Sequence, residues 1–310
     1  TGANNVGIGN GALESNTTGT QNVAVGALAL DANTTANYNT AIGYGSLSTN
    51  ILGARNVAVG RNALATQNYG SATDSYNVAM GYAAGEAITT GVQNILIGGD
   101  SGDSLTDADF NVGIGTSALG SDTKGSRNVG IGHSALATQN FTSATNSYNT
   151  AIGFHSGLAL TTGQSNTFIG GLAGDAITTG DENTAIGAGA LGAATTADAN
   201  TAVGQGSGQD ITTGHSNSIL GRDSGQNITT GSQNTTIGHI AGEVLTTGDD
   251  NICIGHDSAD NLTTGHQNIA IGVDTTLSAV SGDNQIVMGQ NVTCVGNDNF
   301  TFGNGSTDSN

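Results

Sequence analysis

The sequence predicts an all-β chain, a parallel β-roll or β-solenoid wound in 17-residue coils, and three observations predict it. One glycine returns at a fixed step, as Gly9, Gly26, Gly43, Gly60, Gly81, Gly98 and onward to Gly289, and the step is 17 except from Gly60 to Gly81 and from Gly132 to Gly153, where it is 21. The residue before that glycine is aliphatic or methionine at every level, as in Ile8, Val25, Ile42, Val59, Met80 and Ile186. Finally, one large aliphatic residue per coil comes from either of two positions, which a solvated surface has no reason to maintain. A fixed short period means stacked supersecondary units, each unable to bury its apolar face alone. Residues 1–289 are accordingly read as a repeat β-roll of about seventeen coils, and 290–310 as a C-terminal cap or connector.

The elements follow in order when each coil is numbered from its asparagine as position zero. Asn39 to Gly43 and Asn183 to Gly187 show the unit: Asn, then Thr, Ala and Ile at positions one to three, then Gly. β-branched residues at alternating positions predict a short strand whose position-one and position-three side chains face the core. Glycine at position four ends it in a backbone conformation closed to other residues. Small residues at position two (Ala24, Ala41, Ala58, Ala151, Ala185, Ala202) are expected to line a close approach between chains, which implies a cyclic homo-oligomer.

Positions eight and eleven trade volume. Coils with Leu30, Leu47, Leu64 or Leu191 at position eight carry Asn33, Asn50, Gln67 or Ala194 at position eleven. Coils with Gly85, Gly174, Gly208 or Gly225 at position eight carry Ile88, Ile177, Ile211 or Ile228 instead. A second short strand is predicted around Thr-Thr-Gly, as in Ile177-Thr178-Thr179-Gly180. The two longer coils contain near-copies, QNYGSATDSY and QNFTSATNSY, at 67–76 and 139–148. Insertions of this kind bulge on one face of a solenoid, which makes Tyr69, Tyr76, Phe141 and Tyr148 candidate exposed binding residues; packing over the coil edge is the alternative.

Composition narrows the function. Glycine supplies 51 of 310 residues, proline and tryptophan are absent, and aromatics are 4%, which suits many tight turns better than a globular core. The formal net charge of −19 repels nucleic acid and anionic membrane surfaces and leaves cationic, metal-bridged or neutral sugar partners. No apolar run approaches transmembrane length, so membrane insertion is not expected. Two cysteines, Cys253 and Cys294, make no disulfide framework. The chain starts inside its repeat, without a methionine, and is expected to be a processed product or part of something longer.

The recurring NTAIG element followed by a short polar coil resembles the head repeats of YadA-like trimeric autotransporter adhesins. It also looks like the repeat shafts of bacteriophage tail fibres. The resemblance covers residues 5–289 and is carried by the Asn, Ile or Val and Gly of each coil, such as Asn39, Ile42 and Gly43 or Asn183, Ile186 and Gly187. It implies a left-handed roll, intertwined or side by side with two further copies as a homotrimer, with the small-aliphatic strand toward the centre. The implied function is a tail-fibre shaft on a virion surface, outside the cell, meeting a host receptor or glycan. A bacterial cell-surface adhesin head or a self-assembling extracellular filament is the alternative. Two departures stand out: the period exceeds that of the usual adhesin head, and no stalk heptads follow. The ending NQIVMGQNVTCVGNDNFTFGNGSTDSN looks like the segment before a fibre's self-cleaving chaperone, which favours the viral setting.

Motifs for chemistry are sparse. Gly187 to Gly192 matches GxGxxG, but no βαβ unit surrounds it, so no cofactor is expected. His239 and His256 take equivalent places in consecutive coils with Asp257 adjacent, a candidate metal site if a trimer axis supplies further ligands. Solvated turns are the simpler reading of those residues. Thr178, Thr179, Thr212, Thr213 and their equivalents form hydroxyl ladders, of which one column faces outward. No nucleophile has an activating partner, and the chain is not expected to be an enzyme.

Overall fold

In the computed structural model, which describes residues 2–305, every coil contributes a strand beginning one residue after its asparagine, or after Gln285 in one coil near the C-terminus. The chain divides into two compact units, Thr1–His155 and Ser156–Asn310. The first contains β1 (Val6–Ile8), β2 (Val23–Val25), β3 (Thr40–Ile42), β4 (Gly53–Ala54), β5 (Val57–Val59), β6 (Thr73–Asp74), β7 (Val78–Met80), β8 (Ile95–Ile97), β9 (Val112–Ile114), β10 (Gly125–Ser126), β11 (Val129–Ile131), β12 (Thr145–Asn146) and β13 (Thr150–Ile152). Its main wall runs β1-β2-β3-β5-β7-β8-β9-β11-β13, parallel throughout, with Val6 facing Val23 and Val57 facing Val78. Two small parallel ladders, β4 with β6 and β10 with β12, accompany the longer coils.

The second unit contains β14 (Thr167–Ile169), β15 (Thr184–Ile186), β16 (Thr201–Val203), β17 (Ser218–Leu220), β18 (Thr235–Ile237), β19 (Ile252–Ile254), β20 (Ile269–Val273), β21 (Ile286–Gln290) and β22 (Phe300–Gly303), stacked in sequence order and parallel. The fold is an all-β parallel β-solenoid with coils about 17 residues apart. Among the described residues there is no helix, and hence none long and apolar enough to cross a membrane. Gly289 pairs with Gly303, so a shortened coil stacks beyond the last regular one inside the expected cap; 306–310 lie outside the described residues.

The strand faces the opposite way from the sequence expectation. Ala24, Ala41, Ala58, Ala151, Ala185 and Ala202 at position two are fully buried, while Ile42, Met80 and Leu220 at position three are 40%, 42% and 50% exposed. The position-two alanines therefore fill their own coil and do not line a surface between chains. Volume explains the inversion, because the position-eight leucine and the position-two residue share one narrow interior. Leu30, Leu47, Leu64 and Leu191 are fully buried opposite an alanine, whereas the larger Phe168 and Leu96 occur where position eight is Gly174 and Gly102.

The exchange between positions eight and eleven is a shared volume. Leu191 and Ile177 are both fully buried. A Cβ added to Gly208 would lie 3.0 Å from Ile211 Cδ1 and 3.3 Å from Leu191 Cδ2. Position eight is left-handed whichever residue stands there, with φ of 50° at Leu47 and 56° at Gly208, so leucine is accepted at a backbone cost because it fills the core. At position four only glycine fits: Gly43 and Gly187 have φ of 133° and 137°, and an added Cβ would fall on the carbonyl of the next coil's glycine.

Asparagine closes each coil. Asn39 Nδ2 donates to the Gly53 carbonyl at 2.8 Å, tying the ends of one turn, and Asn39 Oδ1 accepts from the Asn56 N–H at 2.9 Å. Asn183 repeats this with the Ala197 carbonyl at 2.7 Å and the Asn200 N–H at 3.0 Å. The amides of Asn39 and Asn183 are buried and satisfied, as a solenoid interior requires, whereas Nδ2 of the equally buried Asn128 has no partner. No strand forms at Ile177-Thr178-Thr179-Gly180, which is bent. There the coils are tied once per level, the Thr178 N–H and hydroxyl both donating to the Thr195 carbonyl at 2.8 and 3.0 Å.

Candidate aromatic and arginine platforms

The richest surface chemistry lies in the first unit, at the corners just before and just after the main strands. The corner before the strand is left-handed at every level and turns its side chain to solvent, so residues a coil apart stack into a column. Tyr38, Arg55 and Tyr76 form one, with φ of 61°, 65° and 50°. Arg55 Cζ lies 4.7 Å from the Tyr38 ring centroid and 5.8 Å from that of Tyr76, and Arg55 Nε pairs with Asp74 Oδ2 at 3.1 Å. The Asp74 bond and charge hold the guanidinium pKa above its ordinary value. Beside it a groove of about 320 Å³ is lined by Thr35, Asn37, Leu52, Ala54, Thr73 and Asp74.

Residues 72 further along repeat the arrangement. Arg127 Cζ lies 4.6 Å from the Phe110 ring, Arg127 Nε donates to Asn146 Oδ1 at 3.1 Å, and Tyr148 takes the place of Tyr76. Asn146 stands where the first copy has Asp74, so the second platform keeps the hydrogen bond and loses the carboxylate charge. Across the strand, Arg61 Cζ lies 6.0 Å from the Tyr44 ring and 5.6 Å from the Tyr82 ring. His133, Phe154 and His155 stack in the corresponding place of the second copy.

The four aromatic candidates separate. Tyr76 and Tyr148 are 49% and 56% exposed, at the foot of each insertion. Tyr69 and Phe141 do not protrude: both are buried, their rings lying over Gly53 and Gly125, where any Cβ would clash. Tyr69 Oη donates to the Gly91 carbonyl at 2.7 Å, and burial pushes its pKa up to about 12. Beneath Phe141, the buried Asp122 carboxylate accepts from the Gly125 and Phe141 N–H groups at 3.0 and 3.1 Å and from Gln139 Nε2, and burial raises its pKa. Asn50 holds the same place in the first copy. Sequence reasoning passed over Tyr38, Arg55, Phe110, Arg127 and Tyr44. The 72-residue duplication was the available signal, since it aligns aromatic, arginine and aromatic at three successive levels twice.

Elsewhere the polar columns serve the stack. The rings of His239 and His256 are 5.3 Å apart, and His256 Nδ1 approaches Asp274 Oδ1 at 3.6 Å, while Asp257 is not joined to them in any three-ligand cluster. Among the described residues no group of three His, Cys, Asp or Glu side chains could hold a metal ion. Asp249 Oδ1 accepts from the Ser232 N–H at 2.8 Å, and its own N–H donates to His266 Nδ1 at 3.0 Å, which occupies these groups coil to coil. Cys253 and Cys294 are buried free thiols, and burial pushes Cys253 up to about 12. In the second unit, Thr179, Thr213, Thr230, Thr247 and Thr264 form an exposed hydroxyl column. Comparison of the chain with protein-family models and with curated proteins gives no match.

Proposed function

We infer that this chain is the shaft of a projecting fibre: a homotrimer on a virion surface, outside the cell, that reaches toward a host receptor or glycan. The observation that carries the reading is the outward face of the main strands. In each unit position three forms an aliphatic column on the outer side of a wall whose interior is already filled, joined at position one by Val or Ile in some coils and by Thr or Ser in others, and Val6, Ile8, Ile42, Met80, Ile95, Ile152 and Leu220 are all more than a third exposed. A contiguous apolar stripe of this kind marks an interaction surface, and identical copies related by a closed symmetry cover such stripes mutually. Light scattering tests it: the expected mass is three times the 30.4 kDa of one chain, and a monomeric mass overturns the reading.

A second reading, a bacterial cell-surface adhesin head, draws on the aromatic and arginine platforms, which place binding chemistry on the coils themselves and not at a tip. Electron micrographs of the source particle separate the two by what the chain is attached to. Nucleic acid and membrane insertion play no part in either reading, given the net charge of −19.

A further inference from the structure

We propose that the two platforms of the first unit, Tyr38–Arg55–Tyr76 with Asp74 and Phe110–Arg127–Tyr148 with Asn146, are a tandem pair of subsites for a neutral polysaccharide. Each offers exposed aromatic side chains and a planar guanidinium that lies over one face of a ring, Tyr38 or Phe110, with its orientation held by a side-chain oxygen, Asp74 Oδ2 or Asn146 Oδ1, at 3.1 Å. Ring faces present an amphipathic surface to the C–H side of a sugar, and a clamped Arg with a neighbouring carboxylate or amide donates to and accepts from adjacent hydroxyls. Thr35, Asn37 and Thr73 in the adjoining groove add further hydrogen-bonding groups.

Charge selects the neutral class. Asp74 cancels Arg55 in the first platform, and although Arg127 has only the neutral Asn146 beside it, the first unit, with nine Asp and Glu against four Lys and Arg, is net negative and opposes the approach of a polyanion. Spacing selects a polymer over a single sugar. The second platform follows the first by four coils, about 19 Å at the usual strand separation of about 4.8 Å, on the same corner of one unit. A repeating chain laid along that corner reaches both, and the second contact is then intramolecular.

The inference rests on the reading of the chain as a surface-facing fibre, and the two fail separately. The probes are dextran, mannan and laminarin as neutral polymers and heparin as the acidic one, each cast into native gels through which the full chain migrates. Retardation by at least one neutral polymer is expected. Tyr38→Ala with Tyr76→Ala should weaken it about 100-fold, the effect of losing one of two linked sites, and adding Phe110→Ala with Tyr148→Ala should abolish it. All four side chains are exposed, so unchanged circular dichroism and melting temperature will exclude unfolding as the cause. No retardation in any neutral gel, retardation by heparin alone, or undiminished retardation of the fourfold variant each overturns the proposal. A trimer that no neutral gel retards sinks the sugar platforms alone, whereas a retarded monomer sinks the fibre alone.

Discussion

At the scale of single residues, the coil is held by positions that accept one side chain and no other. Gly187 has φ of 137° and a neighbouring carbonyl where a Cβ would be, so Gly187→Ala is expected to cost at least about 1–3 kcal/mol in backbone strain. Scanning calorimetry should record it as a lowered melting temperature. Asp122 makes a prediction about pH. Burial raises its folded pKa above the unfolded value, so its neutral form is the one the fold favours. Its contribution to stability is therefore complete below the unfolded carboxylate pKa and is lost as pH rises through the raised folded value. Asp122→Asn, which installs the residue the first copy already has in Asn50, should melt higher than the parent at neutral pH. The difference should vanish in acid, and a pH series of melting temperatures decides it.

At the scale of the coil, one interior volume is filled by one aliphatic side chain, and the backbone position that delivers it is interchangeable. Leu191→Gly should cost about 2–5 kcal/mol through the cavity it leaves. Adding Ala194→Ile reproduces the layout of Gly208 and Ile211 in the next coil and should recover most of that loss in urea denaturation. Failure of the double variant to exceed the single one would show that the two positions serve separate spaces. The insertions obey the same logic: Tyr69 and Phe141 close over glycines of the preceding coil, and the four extra residues supply the length for that inward turn.

At the scale of the molecule, the outward aliphatic residues of position three and the uneven distribution of charge set what can approach. Arg55, Arg61, Lys124 and Arg127 all belong to the first unit, and only Arg222 to the second. Ile42→Asp together with Met80→Asp places charge on the outer stripe without touching the interior, since both side chains are exposed. Light scattering of that variant should shift toward the mass of one chain while circular dichroism stays unchanged.

The amino-acid sequence alone determined the coil length, the parallel stacking, the glycine and asparagine columns and the plug shared between Leu47-type and Ile88-type coils. Each of these repeats at nearly every level, Gln285 and the coil from Asn268 being departures, and is countable along the chain. Only the tertiary structure decided which face of the strand turns inward. Ile42 and Ala41 are both apolar, and a three-residue strand says which side chains share a face without saying which face is buried. The left-handed corners at Tyr38, Asn62 and Leu64 make that choice, and of these only asparagine is a residue type that favours the conformation it adopts. The same corners bring Tyr38, Arg55 and Tyr76 within stacking distance and turn Tyr69 away from solvent, because side-chain direction there depends on how one coil closes over the next.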